Sequence, residues 1–308
     1  MNWTMANRLG HIAATKTHAR LGVDVKEYPV NVSKAVDAAG LSLIRRPLPR
    51  LFGVYVEANG NRGVMVNANL TRATRRHTEG HELGHHELGH RPDPARDCAI
   101  DGAAVAPTVG PHARVGTQGQ VEMTAEAFAT WFLMPRRAVT SALTDLAIDA
   151  LTSPSEVYRL SLLLGTTYRA TCRHLVNIRL ASRDDADLWA RVQPGRLKRA
   201  LATKVGVTLD STYDVDVWDL RTASGARIEA SVGDLLLLPD DLQDAVEAAG
   251  LAVAAADGAA VAVECTTATR LTRLVGAGWP LSLVVHDRLP GLYLPAEDPS
   301  LGEVELNL

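Results

Sequence analysis

Leu9, Ile12, Ala13 and Leu21 recur near helical spacing and Gly22 follows them, which predicts a helix from about residue 3 to 22. Pro29 opens a second short helical pattern through Val32, Ala35, Val36 and Ala39, stopped by Gly40. Strand-like runs follow at Leu41 to Ile44 and Phe52 to Val56. The second ends in Asn59-Gly60-Asn61 and leads directly into Gly63 to Val66. Asn-Gly tolerates the positive φ of tight turns, so the last two runs predict a hairpin. A further helix begins near Thr71 and ends by Arg91, because Pro92 disfavours a helical conformation at the residue before it. Residues 92 to 119, rich in Pro and Gly, predict a long surface loop of the kind that is more often functional than idle.

The next helix is predicted from Val121 to Trp131, with Val121, Ala125, Phe128 and Phe132 on its apolar stripe. One more covers 136 to 150, and two short helices cover 154 to 183 around Leu164-Gly165-Thr166-Thr167. Asp184-Asp185-Ala186-Asp187 and the turn Gln193-Pro194-Gly195 predict a boundary near 190. Beyond it, strands are expected at 215–220, 235–238, 261–265 and 281–285, with a helix over 241–249. The pattern as a whole is α+β.

Composition narrows the class. The chain has 308 residues, 46% of them hydrophobic, enough for more than one compact unit. A net charge of −3 gives no bulk attraction to nucleic acid or to an anionic membrane. Cys98, Cys172 and Cys265 are odd in number, far apart and form no CxxC pair, which fits a reducing cytoplasm. No run reaches the roughly 18 apolar residues of a membrane span, and no signal peptide is legible at the start.

The chemistry concentrates on the helix from Thr71, since five of the ten histidines lie between 77 and 90. Two histidines four apart on a helix are separated by about 40° and reach one ion. Zinc takes such imidazoles with a third protein ligand and a water, and the Glu after the first His is placed to take a proton from that water and return it to a leaving amine. Residues 81 to 90, however, read HELGHHELGH, two copies in tandem. The His81/His85 and His86/His90 pairs point in different directions around a helix and cannot share one site. The first copy lies mid-helix; the second runs into Arg91-Pro92, where fraying is expected. His81 and His85 are therefore the expected ligands and Glu82 the general base, with His86 and His90 left on a solvated helix end. Glu122 and Glu126, one turn apart on the next helix, both qualify on spacing as the third ligand.

These segments resemble the ImmA/IrrE family of metallopeptidases. Tyr28 to Val32 with Ala39-Gly40-Leu41 resembles its opening helix and strand, and Gly53 to Val56 with Gly63 to Asn67 its hairpin. Arg76-His77-Thr78-Glu79-Gly80-His81-Glu82-Leu83-Gly84-His85 resembles its Arg-Phe-Thr-x-Ala-His-Glu-x-Gly-His helix. Glu122 to Ala129 with Leu133-Met134-Pro135 resembles its Glu-x-x-Ala-x-x-Phe-Ala and Leu-Met-Pro motifs. The resemblance covers roughly the first 140 residues. It implies a zincin-like fold, one catalytic Zn2+, His81 and His85 as ligands through the position of Thr78, and Glu122 rather than Glu126 as the third. His77 stands where the family has Phe. The substrates of characterised relatives are helix-turn-helix transcriptional repressors.

The implied organisation is a zincin-like metallopeptidase domain over 1–150, a helix-turn-helix-like segment over 151–190 and an α+β domain over 191–308. In the middle segment arginines outnumber acids, and Arg169 and Arg173 are candidates for DNA or substrate contact. Cys265, His286, Trp218 and Trp279 are expected as packing residues. The function expected is a cytoplasmic zinc endopeptidase acting on a repressor; nucleic acid is not favoured as a partner. The competing expectation is a DNA-binding or ligand-sensing regulator that keeps the fold and hydrolyses little. An intact Glu82 argues against it.

Overall fold

The computed structural model describes residues 2–49, 51–58, 60–90, 117–213, 215–256, 260–275 and 280–287. The expected loop over 92–119 falls almost wholly outside them, as do Cys98 and Trp279. Its last three residues instead belong to a helix.

Helix α1 (Trp3–Leu21) is capped by Asn2 and closed by Gly22 in the left-handed conformation. Helix α2 (Val32–Ala38) is capped by Asn31. Strands β1 (Ser42–Arg46), β2 (Gly53–Ala58) and β3 (Asn61–Asn67) form one sheet in the order β1-β3-β2. The predicted hairpin is β2–β3, antiparallel with Val54 opposite Met65, while β1 adds parallel to β3. Helix α3 (Arg72–Glu87) starts at its cap Thr71, whose side chain accepts from the Thr74 amide. It lies between this sheet and α4 (Thr117–Leu133), which also packs along α1. Helix α4 begins four residues before the predicted start.

Two buried imidazoles finish α4. The last carbonyls of a helix lack internal donors. His18 Nε2 lies 2.9 Å from the Phe132 carbonyl and His174 Nε2 lies 2.9 Å from the Met134 carbonyl. Each ring donates there, and burial lowers the pKa of both despite that bond. Around this end pack α5 (Arg136–Asp145), α6 (Pro154–Leu164) and α7 (Tyr168–Asn177). Helix α5 ends five residues short of the expected 150, and Ala147 follows with a φ of 54°. The α6–α7 turn matches the helix-turn-helix outline, with Gly165 left-handed and Thr167 capping α7.

Two helices were not anticipated, α8 (Arg183–Ala190) and α9 (Pro194–Thr203). The acids read as a linker are the first turn of α8 behind its cap Ser182, and Pro194 is the first residue of α9 and not the centre of a turn. Then come β4 (Val217–Asp219), β5 (Arg227–Ser231), β6 (Leu235–Pro239), a 3-10 turn over Asp240–Leu242, α10 (Gln243–Ala248), β7 (Ala252–Ala256), β8 (Ala260–Glu264), β9 (Thr269–Leu274) and β10 (Leu281–His286). They build two sheets, β4-β6-β8-β7 and β5-β10-β9. Leu235 to Leu238 are all buried, as befits a strand covered on both faces. Cys265 and Trp218 are buried as expected, and the Trp218 Nε1 donates to Asp234. His286 is not a core residue: its side chain is 45% exposed at the end of β10, 3.7 Å from Glu229. Among the described residues no helix is long and apolar enough to cross a membrane.

His174 has a consequence for acid stability. Burial, only partly offset by the Met134 hydrogen bond, pulls its pKa down to about 4. Between pH 6.5 and 4 the unfolded chain binds a proton there that the folded chain refuses. Stability from this group is therefore complete above pH 6.5 and is lost as pH falls toward 4, by up to about 3 kcal/mol. Urea unfolding at pH 7 and pH 4.5 should show a smaller loss in His174→Gln than in the native chain. Equal losses would contradict the assignment.

Candidate metal centre

Helix α3 is held by buried charge on the side away from α4. Glu79 is 1% exposed and accepts from Ser33 of α2 at 2.9 Å and from Arg45 Nε of β1 at 2.8 Å. Arg76 donates to the Val30 carbonyl at 2.7 Å and to the Gly165 carbonyl, the cap of α6, at 3.0 Å. A buried carboxylate with two donors and an arginine between two carbonyls fix both the rotation and the height of the helix.

Glycine sets the distance to α4. A Cβ on Gly84 would lie 2.9 Å from Phe128 Cδ1 and 3.2 Å from the Ala125 carbonyl oxygen. Gly84 therefore presents bare backbone to the Phe128 ring and the Ala125 carbonyl. Glu122, on the same helix as Ala125 and Phe128, is thereby brought over the two histidines of α3.

The resulting cluster is compact. His81 Nε2 lies 3.2 Å and His85 Nε2 3.6 Å from Glu122 Oε2, and the two imidazole nitrogens are 3.0 Å apart. All three ligand atoms fall within 4.8 Å of one another. Among the described residues Glu122 Oε1 is buried with no hydrogen-bond partner. Two imidazole nitrogens and a carboxylate, with a buried carboxylate oxygen left over, are the donor set of a three-ligand zinc site, and these residues fit that ion. Burial alone would push the Glu122 carboxyl up, but hydrogen bonds to His81 and His85 outweigh it and hold it well below the usual carboxylate range. Burial, reinforced by His81, pulls the His85 imidazole below its usual value despite Glu122. Both shifts favour the forms that bind a cation: a charged carboxylate and a neutral ring. Glu82 is fully buried beside them, under β2; a Cβ on Gly53 would come within 3.3 Å of Glu82 Oε1.

The second HELGH does something different from what its sequence suggests. The helix stops at Glu87, with Leu88 as its cap and Gly89 at a φ of 67°. The Gly89 amide bonds the His86 carbonyl at 3.1 Å and the His90 amide bonds the His85 carbonyl at 2.9 Å. This paired pattern is a Schellman closure, which folds the residue after the glycine back over the last turn. His90 therefore has no helical direction. It lies on His85, the Nδ1 atoms 3.1 Å apart, and burial, with His85 beside it, brings its pKa down to about 4. His86 Nδ1 is 3.2 Å from the Tyr55 hydroxyl. Glu87 accepts from Thr17 at 2.9 Å and pairs with Arg20, tying the end of α3 to α1. The expected solvated end is a bonded one.

Glu126 also has a distinct place. Its Oε2 is 2.8 Å from His77 Nε2 and 3.7 Å from His81 Nδ1, behind the cluster and not in it. His77, where the resemblance leads one to expect Phe, is thus the partner of a buried carboxylate. Burial raises the Glu126 carboxyl, and His77 and His81 more than reverse this, holding it well below the usual range. Arg169 and Arg173 stand on α7, half-buried and exposed, outside the His81–His85–Glu122 cluster. Glu79, Arg45, Gly84 and Gly89 were not singled out by sequence. A charged residue at a core position of a helix was the available signal for Glu79.

A helix carrying the metal-capable histidines, packed on a small sheet and crossed by a second helix bearing a carboxylate, defines a zincin-like metallopeptidase domain. Residues 36–175 match the family model of the M78 peptidases, described as the IrrE N-terminal-like domain, so this part of the chain is similar to that family of metallopeptidases. The match runs past residue 150, through α6 and most of α7. No curated protein matches the chain.

The α3–α4 contact gives a direct test. Gly84→Ala inserts a methyl into the Phe128 ring edge and the Ala125 carbonyl, so the metal-free protein should lose about 1–3 kcal/mol in urea unfolding. Unchanged stability would mean that the helices do not meet so closely.

Proposed function

We propose that this chain is a zinc-dependent endopeptidase in which His81, His85 and Glu122 hold one Zn2+ and Glu82 is the general base. Its substrate is a helix-turn-helix transcriptional repressor, cut in the cytoplasm to relieve repression. Residues 1–150 form the peptidase unit in this reading, 151–190 a helical extension and 191–308 an α+β unit. The observation that carries the reading is the convergence of two imidazole nitrogens on Glu122, whose other oxygen is buried without a hydrogen bond.

Zinc, when bound, supplies Lewis acidity toward the scissile carbonyl and toward water. The chain supplies the rest. Neutral imidazoles at His81 and His85 present lone pairs on Nε2, and the Glu122 carboxylate offsets part of the dication's charge. Glu82, next to His81 on α3, takes the proton of the attacking water and delivers it to the leaving amine. Glu82 is fully buried, with β2 at Gly53 against its carboxylate.

The substrate class rests on the likeness of four spaced motifs to the ImmA/IrrE family. The regulator reading draws less support. Arg76 and the His174–Met134 bond build the α6–α7 turn into the core, and a regulator without hydrolysis has no use for Glu82.

Two measurements test this. Metal analysis of the purified chain should give about one zinc per chain, lost in His81→Ala and Glu122→Ala. Co-expression with candidate helix-turn-helix repressors from the same genome should yield fragments, and Glu82→Gln should slow their formation about 10^2- to 10^4-fold while keeping the metal. Undiminished cleavage by Glu82→Gln would remove Glu82 from its role. A chain that cuts no repressor and instead shifts duplex DNA would favour the regulator.

A further inference from the structure

We propose that His90, from the second HELGH copy, is the positioning residue of His85: it accepts the His85 Nδ1 proton and so fixes the ring that presents Nε2 to the metal. The proposal rests on the reading of His81, His85 and Glu122 as zinc ligands.

The geometry leads there in three steps. First, the Nε2 atoms of His81 and His85 converge with Glu122, 3.0 Å from one another, so the metal-facing nitrogen of His85 is Nε2. A neutral imidazole binding through Nε2 carries its proton on Nδ1. Second, His85 is buried, 4% exposed, and a buried N–H needs an acceptor. His90 Nδ1 stands 3.1 Å away, at hydrogen-bond distance. With His85 donating, His90 Nδ1 accepts and the His90 proton lies on Nε2. Third, His90 meets His85 at Nδ1 while Glu122 lies nearest its Nε2, and His90 is not in the cluster of His81, His85 and Glu122, so it stands beside the centre and not as a fourth ligand.

The backbone makes this placement reproducible. In the closure at Gly89 the residue after the glycine bonds back to the carbonyl of the residue five before it, here His90 to His85 at 2.9 Å. The closure brings those two residues together, and side chains there commonly touch. In this chain the contact is a hydrogen bond between two imidazoles. Metal-binding histidines generally donate their far N–H to a partner that sets tautomer and ring orientation, and loss of such a partner costs about 10- to 100-fold in metal affinity.

The experiment is zinc competition against a chromophoric chelator on the full chain, together with the visible spectrum of the Co2+-loaded protein and urea unfolding without metal. His90→Leu should bind zinc about 10- to 100-fold more weakly and shift the Co2+ bands, with its metal-free stability close to native. His90→Gln, whose amide oxygen can accept, should recover most of the affinity. Gly89→Ala, which strains the closure without touching either ring, should weaken zinc in the same direction. Native zinc affinity and an unshifted Co2+ spectrum in His90→Leu overturn the proposal. So does a His90→Leu that loses metal-free stability while binding zinc as the native chain does. His85→Ala separates this from failure of the site itself. If His85→Ala binds as tightly as the native chain, the ligand reading fails and the proposal with it. If His85→Ala loses zinc while His90→Leu keeps it, only the role of His90 fails.

Discussion

Gly84 lets α3 lie against the Phe128 ring and the Ala125 carbonyl, and the grouping of His81, His85 and Glu122 depends on that spacing. A carboxylate on one helix meets two imidazoles on another only where the backbones come this close, since a glutamate reaches only a few ångströms from its own helix. The opposite side of α3 bears the complementary constraint. Glu79, held by Arg45 and Ser33, and Arg76, held by two carbonyls, prevent the helix from rolling or sliding away from the contact. The centre is thus a consequence of packing on one face of α3 and of buried charge on the other.

The same five residues adopt two structures ten residues end to end. In the first copy, Gly84 is helical, because α4 packs onto it and the helix continues. In the second, Gly89 takes a positive φ that only a glycine adopts without strain, and Pro92 a few residues on opposes any further turn. The glutamates diverge with the backbone: Glu82 is buried beside the histidines, while Glu87 is drawn to Thr17 and Arg20. Duplication of a motif here has not duplicated a site. The second copy anchors the end of the helix that bears the first.

Much of this was legible in the chain. The α1 boundaries and the end of α2 followed from periodicity and from Gly22 and Gly40, the β2–β3 hairpin from Asn59-Gly60, and the α6–α7 turn from Gly165; α2 starts at Val32 behind its cap Asn31 and not at Pro29. The His81, His85 and Glu122 grouping followed from helical spacing together with the resemblance. What stayed hidden has physical causes. Strand β5 alternates but has Ile228 as its one large apolar residue, β7 is alanine-rich and β9 lacks alternation, so tertiary pairing decides them. Helices α8 and α9 begin with acids and with Pro194, residues that signal a linker and a helix start equally well. The placement of His90 could not be read on a helical wheel, because the wheel assumes a helix that Gly89 has already ended. Pairing of His77 with Glu126 joins residues 49 apart and needed the helix crossing to be known.

Which histidines meet the metal is the decisive question for this chain. A crystal structure of the zinc-loaded chain, with the ion located by its anomalous signal, decides this directly. The account predicts one zinc peak within about 2.0–2.2 Å of His81 Nε2, His85 Nε2 and a Glu122 oxygen, with His90 touching His85 and not the ion. A peak bound by His86 or His90, or a centre completed by Glu126 in place of Glu122, would contradict it.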